Sequence, residues 1–80
     1  MKLLSIGFGS VVAAGRVLAI VEPDSAPIKR IVQEAKERSI LIDASYGRST
    51  KSVILMDTDH VILSSVTAQQ LSEEWKEENA

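Results

Sequence analysis

The sequence predicts an α+β domain in which a small sheet of about five strands is accompanied by two helices, in the order β-β-α-β-β-β-α. Short apolar segments follow one another more often than they alternate with segments of helical spacing, and no repeat or linker divides the 80 residues. Consecutive strands favour an α+β fold over alternating βα units. We divide the chain into a core domain, residues 1–66, and an acidic C-terminal helix and tail, residues 67–80.

The first third of the chain predicts two strands separated by a glycine-containing break. Residues 3–8 are mostly apolar, and Gly9-Ser10 interrupts them with a bulge or tight turn before Val11-Val12 resumes extended structure. Residues 16–21 form the second strand and carry apolar side chains on both faces. We therefore expect both faces to be buried, by the core or by a neighbouring subunit.

A helix is predicted over residues 26–38 from signals at its start and along its length. Pro23 ends the preceding strand, Asp24 or Ser25 can cap the free amides, and Pro27 fits the first turn. Apolar residues then recur at helical spacing, at Ile28, Ile31, Val32 and Ala35. The helix therefore has one apolar stripe.

The second half predicts three strands and a terminal helix. The strands cover residues 40–44, 53–56 and 61–66; the first two are joined by a hairpin loop at 45–50, and residues 57–60 form a turn. Thr67 and Gln70 have the spacing of a capping box. The helix they begin runs over residues 68–77, with an apolar face that consists of Ala68, Leu71 and Trp75.

Length and composition limit how such a chain is stabilised. Cysteine is absent, which excludes disulfides, thiolate metal sites and a cysteine nucleophile. One small core leaves roughly 3–5 kcal/mol of stability, so we expect a homo-oligomer larger than a dimer, without a cofactor. No uncharged run has the ~20 apolar residues of a membrane span, and no convincing signal peptide is present. We expect a cytoplasmic protein with no membrane partner.

The charge is unevenly distributed along the chain. The net charge is −2, yet residues 1–66 carry eight Lys/Arg against seven Asp/Glu, a balance of +1. Residues 67–80 carry one lysine against four glutamates, a balance of −3. The acidity therefore belongs to the tail, and the weakly basic body can bind a polyanion if its basic groups cluster.

Three separate basic positions are candidates for such a surface. Arg48 and Lys51 lie in the 45–50 loop region with the hydroxyls of Ser49 and Thr50 between them, a donor set that suits phosphate oxygens. The other two positions are Lys29 with Arg30 at a helix start, and Arg16 at the start of a strand. Taken singly, each is as well explained as a solvated surface charge.

Two further motifs have structural explanations. Gly7-Phe8-Gly9-Ser10 lacks the third glycine and the following helix of a phosphate-binding loop, so we interpret it as a turn. Asp57, Asp59 and His60 resemble a metal or acid–base cluster, but no second histidine accompanies His60, and aspartates are common in turns. We therefore predict no metal site and no enzymatic activity.

Four segments of the chain form a recognisable set: Ile6-Gly7-Phe8-Gly9, residues 23–30 (PDSAPIKR), residues 41–48 (LIDASYGR) and residues 59–64 (DHVILS). They resemble the extracellular matrix regulatory protein RemA family. The resemblance covers about residues 1–66 and implies a small bacterial DNA-binding regulator that activates biofilm matrix genes. It further implies a LytTR-like subunit in a closed homo-oligomeric ring around which double-stranded DNA is wrapped, so that the protein is nucleoid-associated when bound.

The family pattern is matched at some positions and not at others. Arg16 matches an arginine after the first strands, and Arg48 matches the first arginine of the loop. Ser49 stands where the family has a second basic residue, and Lys51 could substitute for it from two positions on. Ser10 replaces a common asparagine, and Ser39 a usual glycine after the helix.

These observations leave three functional classes. The first is the ring-forming DNA-binding regulator, in which the ring repeats Arg16, Arg48 and Lys51 once per subunit and so multiplies weak contacts. The second is a structural or protein-interaction module that forms the same ring without DNA. An enzyme or nucleotide binder that uses residues 7–10 or His60 ranks last.

Overall fold

The chain forms two sheets and two α-helices in the computed structural model, which describes residues 2–78. The α+β class is confirmed, but six strands in two sheets replace the predicted single sheet of about five. The elements in chain order are β1 (Leu3–Gly7), β2 (Ser10–Ala13), a 3-10 turn (Ala14–Arg16), β3 (Val17–Val21), α1 (Ala26–Glu37), β4 (Leu41–Asp43), β5 (Ser52–Met56), β6 (Val61–Ser64) and α2 (Ala68–Glu78).

The break after the first strand is a two-residue hairpin turn. Gly7 pairs with Ser10 across antiparallel β1 and β2, and the intervening Phe8 and Gly9 have φ of 53° and 76°. Two consecutive left-handed residues give the turn a twist that matches its flanking strands. The predicted turn is confirmed, and residues 10–13 form a strand of their own.

The four-stranded sheet has the order β3-β5-β6-β4, with β4 parallel to β6 and the other pairs antiparallel. The prediction of a hairpin loop at residues 45–50 is therefore wrong, because β6 lies between the two strands that this loop connects. Val61 and Ile62 of β6 are buried, which suits a central strand. The short β4 leaves Ile42 and Asp43 exposed, as an edge strand can.

Both faces of this sheet are covered. Val53 and Ile54 are adjacent on β5 and fully buried, so their side chains point to opposite faces. Ile54 packs in a core with Leu4, Ile6 and Leu71, from β1 and α2. Val53 packs with residues of α1 in a second core. The β1–β2 hairpin and α2 therefore cover one face, and α1 covers the other.

Both helices begin with the predicted N-terminal caps. The side chain of Ser25 accepts a 3.3 Å hydrogen bond from the amide of Ile28, and that of Thr67 accepts one of 3.2 Å from the amide of Gln70. After α1, Ser39 has a φ of 59°, a left-handed position that glycine occupies without strain. The serine noted there in place of a glycine therefore carries backbone strain.

The edge strand β3 is only partly covered by the rest of the chain. Val17 is buried, whereas Leu18 is 68% exposed. The chain's own cores thus leave the apolar side chain of Leu18 in solvent. Within residues 2–78, no helix is long and apolar enough to cross a membrane.

Candidate functional site

The loop that carries Arg48 is held by the end of β4. The carboxylate of Asp43 accepts hydrogen bonds from both the amide (2.9 Å) and the hydroxyl of Ser45. Both hydrogen bonds stabilise the charged carboxylate, the one from the hydroxyl more than the one from the amide. They hold the pKa of the Asp43 carboxyl below its ordinary value. The amide of Arg48 then donates to the carbonyl of Ser45 at 3.1 Å. Tyr46 and Gly47, between Ser45 and Arg48, both have a left-handed φ, which reverses the chain direction there.

The end of β6 anchors the other two segments of the site. The hydroxyl of Ser64 donates to the carbonyl of Ile6 at 2.8 Å, and the carbonyl of Ser64 accepts from the amide of Lys51 at 2.8 Å. A Cβ added at Gly7 would lie 3.2 Å from a methyl group of Val66. Glycine at position 7, with a φ of 99°, therefore suits the close approach of the β1–β2 turn to the segment after β6, and Phe8 lies beside the 45–50 loop.

These segments surround an open cleft of about 520 Å³, which we call the basic cleft. Its lining includes two cationic side chains, two hydroxyls and an aromatic ring, but no acid. The lining residues are Phe8, Gly47, Arg48, Ser49, Lys51 and Ser65. Such a set can donate several hydrogen bonds to the oxygens of a phosphate group.

An aromatic pair lies at the rim of the basic cleft. The rings of Phe8 and Tyr46 are 5.3 Å apart, centroid to centroid, and tilted by 52°. The guanidinium carbon of Arg48 lies 5.1 Å from the centroid of Phe8. Phe8 is 49% exposed and Tyr46 is 66% exposed, so both rings are accessible to a ligand in the cleft.

The remaining predicted residues lie outside this cleft. Thr50 borders it and lines two further grooves, one with Lys51 and the acidic Glu22 and Asp24, the other with Lys29 of α1. Arg30 is exposed on α1. The structure thus gathers Arg48, Ser49 and Lys51 and places Thr50 and Lys29 on adjoining surfaces.

Arg16 lies at the opposite end of β5. Its guanidinium forms an ion pair of 3.6 Å with Asp57, and its carbonyl accepts a 2.8 Å hydrogen bond from the Asp57 amide. Asp57 follows Lys51 by six positions along β5, so at ~3.3 Å per residue Arg16 lies roughly 20 Å from the basic cleft. The chain therefore presents two separate basic regions.

The turn at residues 57–60 is confirmed between β5 and β6. The amide of Met56 donates to the carbonyl of His60 at 3.0 Å, and the side chains of Thr58 and His60 are 2.8 Å apart. Within the described part of the chain, no group of three or more His, Cys, Asp or Glu could hold a metal ion.

Sequence reasoning missed Phe8 and Ser65 as neighbours of the basic residues. Phe8 and Arg48 are 40 positions apart in the chain, and no spacing rule connects them. The available signal is local: Phe8 lies between two glycines, in a turn where a bulky residue must adopt a left-handed φ.

Comparison with known proteins gives one consistent family. The model of the RemA-like family, described as extracellular matrix regulatory protein A-like, matches residues 3–74. A candidate regulatory protein of Caldicellulosiruptor saccharolyticus is 61% identical over 72 residues, which is 90% of this chain and 71% of that protein. One from Acetivibrio thermocellus is 58% identical over 72 residues, covering 90% and 77%. With nine-tenths of its length matched, this chain belongs to the RemA-like family of regulatory proteins.

Proposed function

We propose that the chain is a DNA-binding transcriptional regulator of the type that activates biofilm matrix genes, and that it wraps double-stranded DNA around a homo-oligomeric ring in the cytoplasm. The observation that supports this most is the basic cleft, where Arg48 and Lys51 lie together with hydroxyl donors and without an acid. DNA presents a regular row of phosphates, and cations with free hydrogen-bond donors neutralise them. The proposal assigns the chain no catalytic role.

The two basic regions of a subunit support wrapping over a point contact. Arg16 and the basic cleft lie roughly 20 Å apart, at a strand rise of ~3.3 Å per residue. This distance exceeds the ~12 Å width of the major groove. One duplex can therefore contact the two regions with the phosphate backbones on either side of a groove. A ring repeats this pair around its circumference, and contacts that are weak alone add up along the DNA.

The two free edges of the four-stranded sheet support a ring. β3 exposes Leu18, and β4 exposes Ile42 at 47%. These edges differ in sequence and length, so a contact between β3 of one subunit and β4 of the next is heterologous, and heterologous contacts form a ring when the rotation between subunits closes. The same edges favour the alternative function, an assembly module that forms a ring without binding DNA.

DNA binding is tested by titrating a long duplex at two salt concentrations, with the mass of the protein measured on the same samples. We expect affinity to fall with salt, by about 0.9 log units per log of salt for each phosphate contact. Arg48→Ala and Arg16→Ala should each weaken binding to all sequences alike and flatten that slope. Arg38→Ala removes the same charge from the far end of α1 and should not. If the protein forms a ring and binds no duplex at either salt concentration, the assembly module is the correct function. If it binds and all three variants bind like the wild type, Arg16 and the basic cleft are not the DNA surface.

Ring closure is tested with a pair of edge variants. Leu18→Asp and Ile42→Asp each place a charge on one edge, so each alone should reduce the oligomer to small species by light scattering. A heterologous contact leaves one intact edge on each variant, and an equimolar mixture should therefore form a dimer of the two. A mixture that stays monomeric, or variants that keep the wild-type mass, would contradict the proposed β3–β4 contact.

A further inference from the structure

The β1–β2 turn contains a residue that the turn itself disfavours. Gly7, Phe8 and Gly9 all have left-handed φ, of 99°, 53° and 76°. Glycine adopts this conformation freely and asparagine or aspartate readily, whereas a bulky side chain there is strained. Phe8 is also half exposed, so the core gains little from its ring. The turn alone therefore does not account for a phenylalanine at this position.

The ring of Phe8 instead lies against the guanidinium of Arg48. The guanidinium carbon lies 5.1 Å from the ring centroid, within the ~6 Å range of a cation–π interaction. Tyr46, also in a left-handed conformation, packs against the same ring at 5.3 Å. Two strained bulky residues from separate loops thus pack together, and one of them, Phe8, lies against Arg48. Strain of this kind concentrates at functional sites.

The nature of this contact matters because of the charge of Arg48. Among the described residues, the ion pair found is that of Arg16 with Asp57, and no carboxylate pairs with Arg48. A carboxylate would orient a guanidinium but also cancel the charge that a polyanion needs. An aromatic face orients it and leaves the full positive charge and the outward N–H donors available.

We propose that Phe8 is a positioning residue: its ring holds the guanidinium of Arg48 in an orientation in which its N–H donors can bind a phosphate. Tyr46 supports Phe8 from the side. This inference rests on the proposed function, since it assumes that Arg48 contacts DNA. Preorganisation reduces the conformational entropy that a long side chain loses on binding. It also gives the glycine-flanked turn a role that its sequence alone does not indicate.

Two substitutions separate the aromatic face from the bulk of the side chain. Phe8→Leu keeps an apolar side chain in the same strained turn but removes the ring, whereas Phe8→Trp keeps a ring with a stronger cation–π face. By NMR, the side-chain protons of Arg48 should be shifted upfield by ring current in the wild type and in Phe8→Trp, and not in Phe8→Leu. Absence of that shift in the wild type would overturn the inference without any need for DNA.

The affinity for duplex DNA then tests what the contact does. Phe8→Leu should weaken binding roughly two- to fivefold per subunit contact, the size of an exposed cation–π interaction. The salt slope should remain that of the wild type because Arg48 still reaches the phosphate, while Phe8→Trp should bind as well as the wild type. In an Arg48→Ala background, Phe8→Leu should have no further effect. Wild-type affinity in Phe8→Leu, or an equal loss in the Arg48→Ala background, would overturn the inference.

These outcomes separate the two proposals. If the wild type binds no DNA, the proposed function fails, and the ring-current shift still decides whether Phe8 holds Arg48. If the wild type binds and Arg48→Ala weakens it while Phe8→Leu does not, the proposed function stands and the positioning role of Phe8 is wrong.

Discussion

The hydroxyl of Ser64 donates a 2.8 Å hydrogen bond to the carbonyl oxygen of Ile6, 58 residues earlier in the chain. The same hydroxyl accepts a 3.0 Å hydrogen bond from the amide of Val66. Ser64 and Ile6 are both buried, so the carbonyl of Ile6 has no water as a replacement partner. One side chain thus connects the end of β1, and with it the turn that carries Phe8, to the strand that anchors Lys51.

Ser64→Ala should lower the free energy of unfolding by about 1–3 kcal/mol, because it leaves a buried carbonyl and a part-buried amide unpaired. The measurement is urea unfolding followed by circular dichroism. Ser52→Ala is a matched control, since Ser52 faces Ser64 across β5 and β6, and its buried hydroxyl has no hydrogen-bond partner within residues 2–78. Its stability should be unchanged or higher. Equal losses in both variants would contradict this role of Ser64.

Stability at acidic pH should depend on Asp43. Its pKa is lowered from the ordinary 3.8 by the hydrogen bonds from Ser45, so the stabilisation is present above pH 3.8 and is lost as pH falls through the lowered value. Asp43→Asn removes the titration but keeps an acceptor for Ser45. Urea midpoints should therefore fall more steeply below pH 3.8 in the wild type than in the variant. Asp24→Asn, in the loop before α1, should follow the wild type.

Ser49→Arg should tighten DNA binding and steepen its salt dependence, by about 0.9 in slope if the new side chain adds one phosphate contact. Ser49 is exposed in the basic cleft, so the arginine has room and loses little hydration. Gln70→Arg adds the same charge on α2, outside the cleft lining, and should change affinity much less. Equal effects would indicate that net charge, and not the cleft, determines the affinity.

Asp57→Asn should strengthen DNA binding through Arg16. The two side chains form an exposed ion pair, and pairs of this kind contribute about 0–1 kcal/mol, so the fold should be nearly unaffected. Removing the carboxylate leaves the charge of Arg16 uncompensated. Asp59→Asn makes the same charge change in the same turn without freeing an arginine, and it should have the smaller effect in salt titrations. If the two variants no longer differ in DNA affinity when Arg16→Ala is added to each, the difference between them is due to Arg16.

Local signals predicted the elements whose determinants lie close together in sequence. The start of α1 followed from Ser25 and Pro27, and the β5–β6 turn from its aspartates, because caps and turns are decided within a few residues. The placement of residues 45–50 failed because β6, which follows them in the chain, enters the sheet between β4 and β5. The basic cleft was found in part: Arg48, Ser49 and Lys51 are near in sequence, whereas Phe8 and Ser65 reach them only through the fold.

The distance in sequence between Ile6 and Ser64 also determines when the basic cleft can exist. During translation at about 5–20 residues per second, β1 is synthesised roughly 3–12 s before Ser64. A lone two-stranded hairpin is marginal in water, so Leu4 and Ile6 have no core to enter during that interval. A nascent or prematurely terminated chain therefore has Arg48 but no cleft around it. Only chains that extend past β6 can compete for the same ligand as the finished protein.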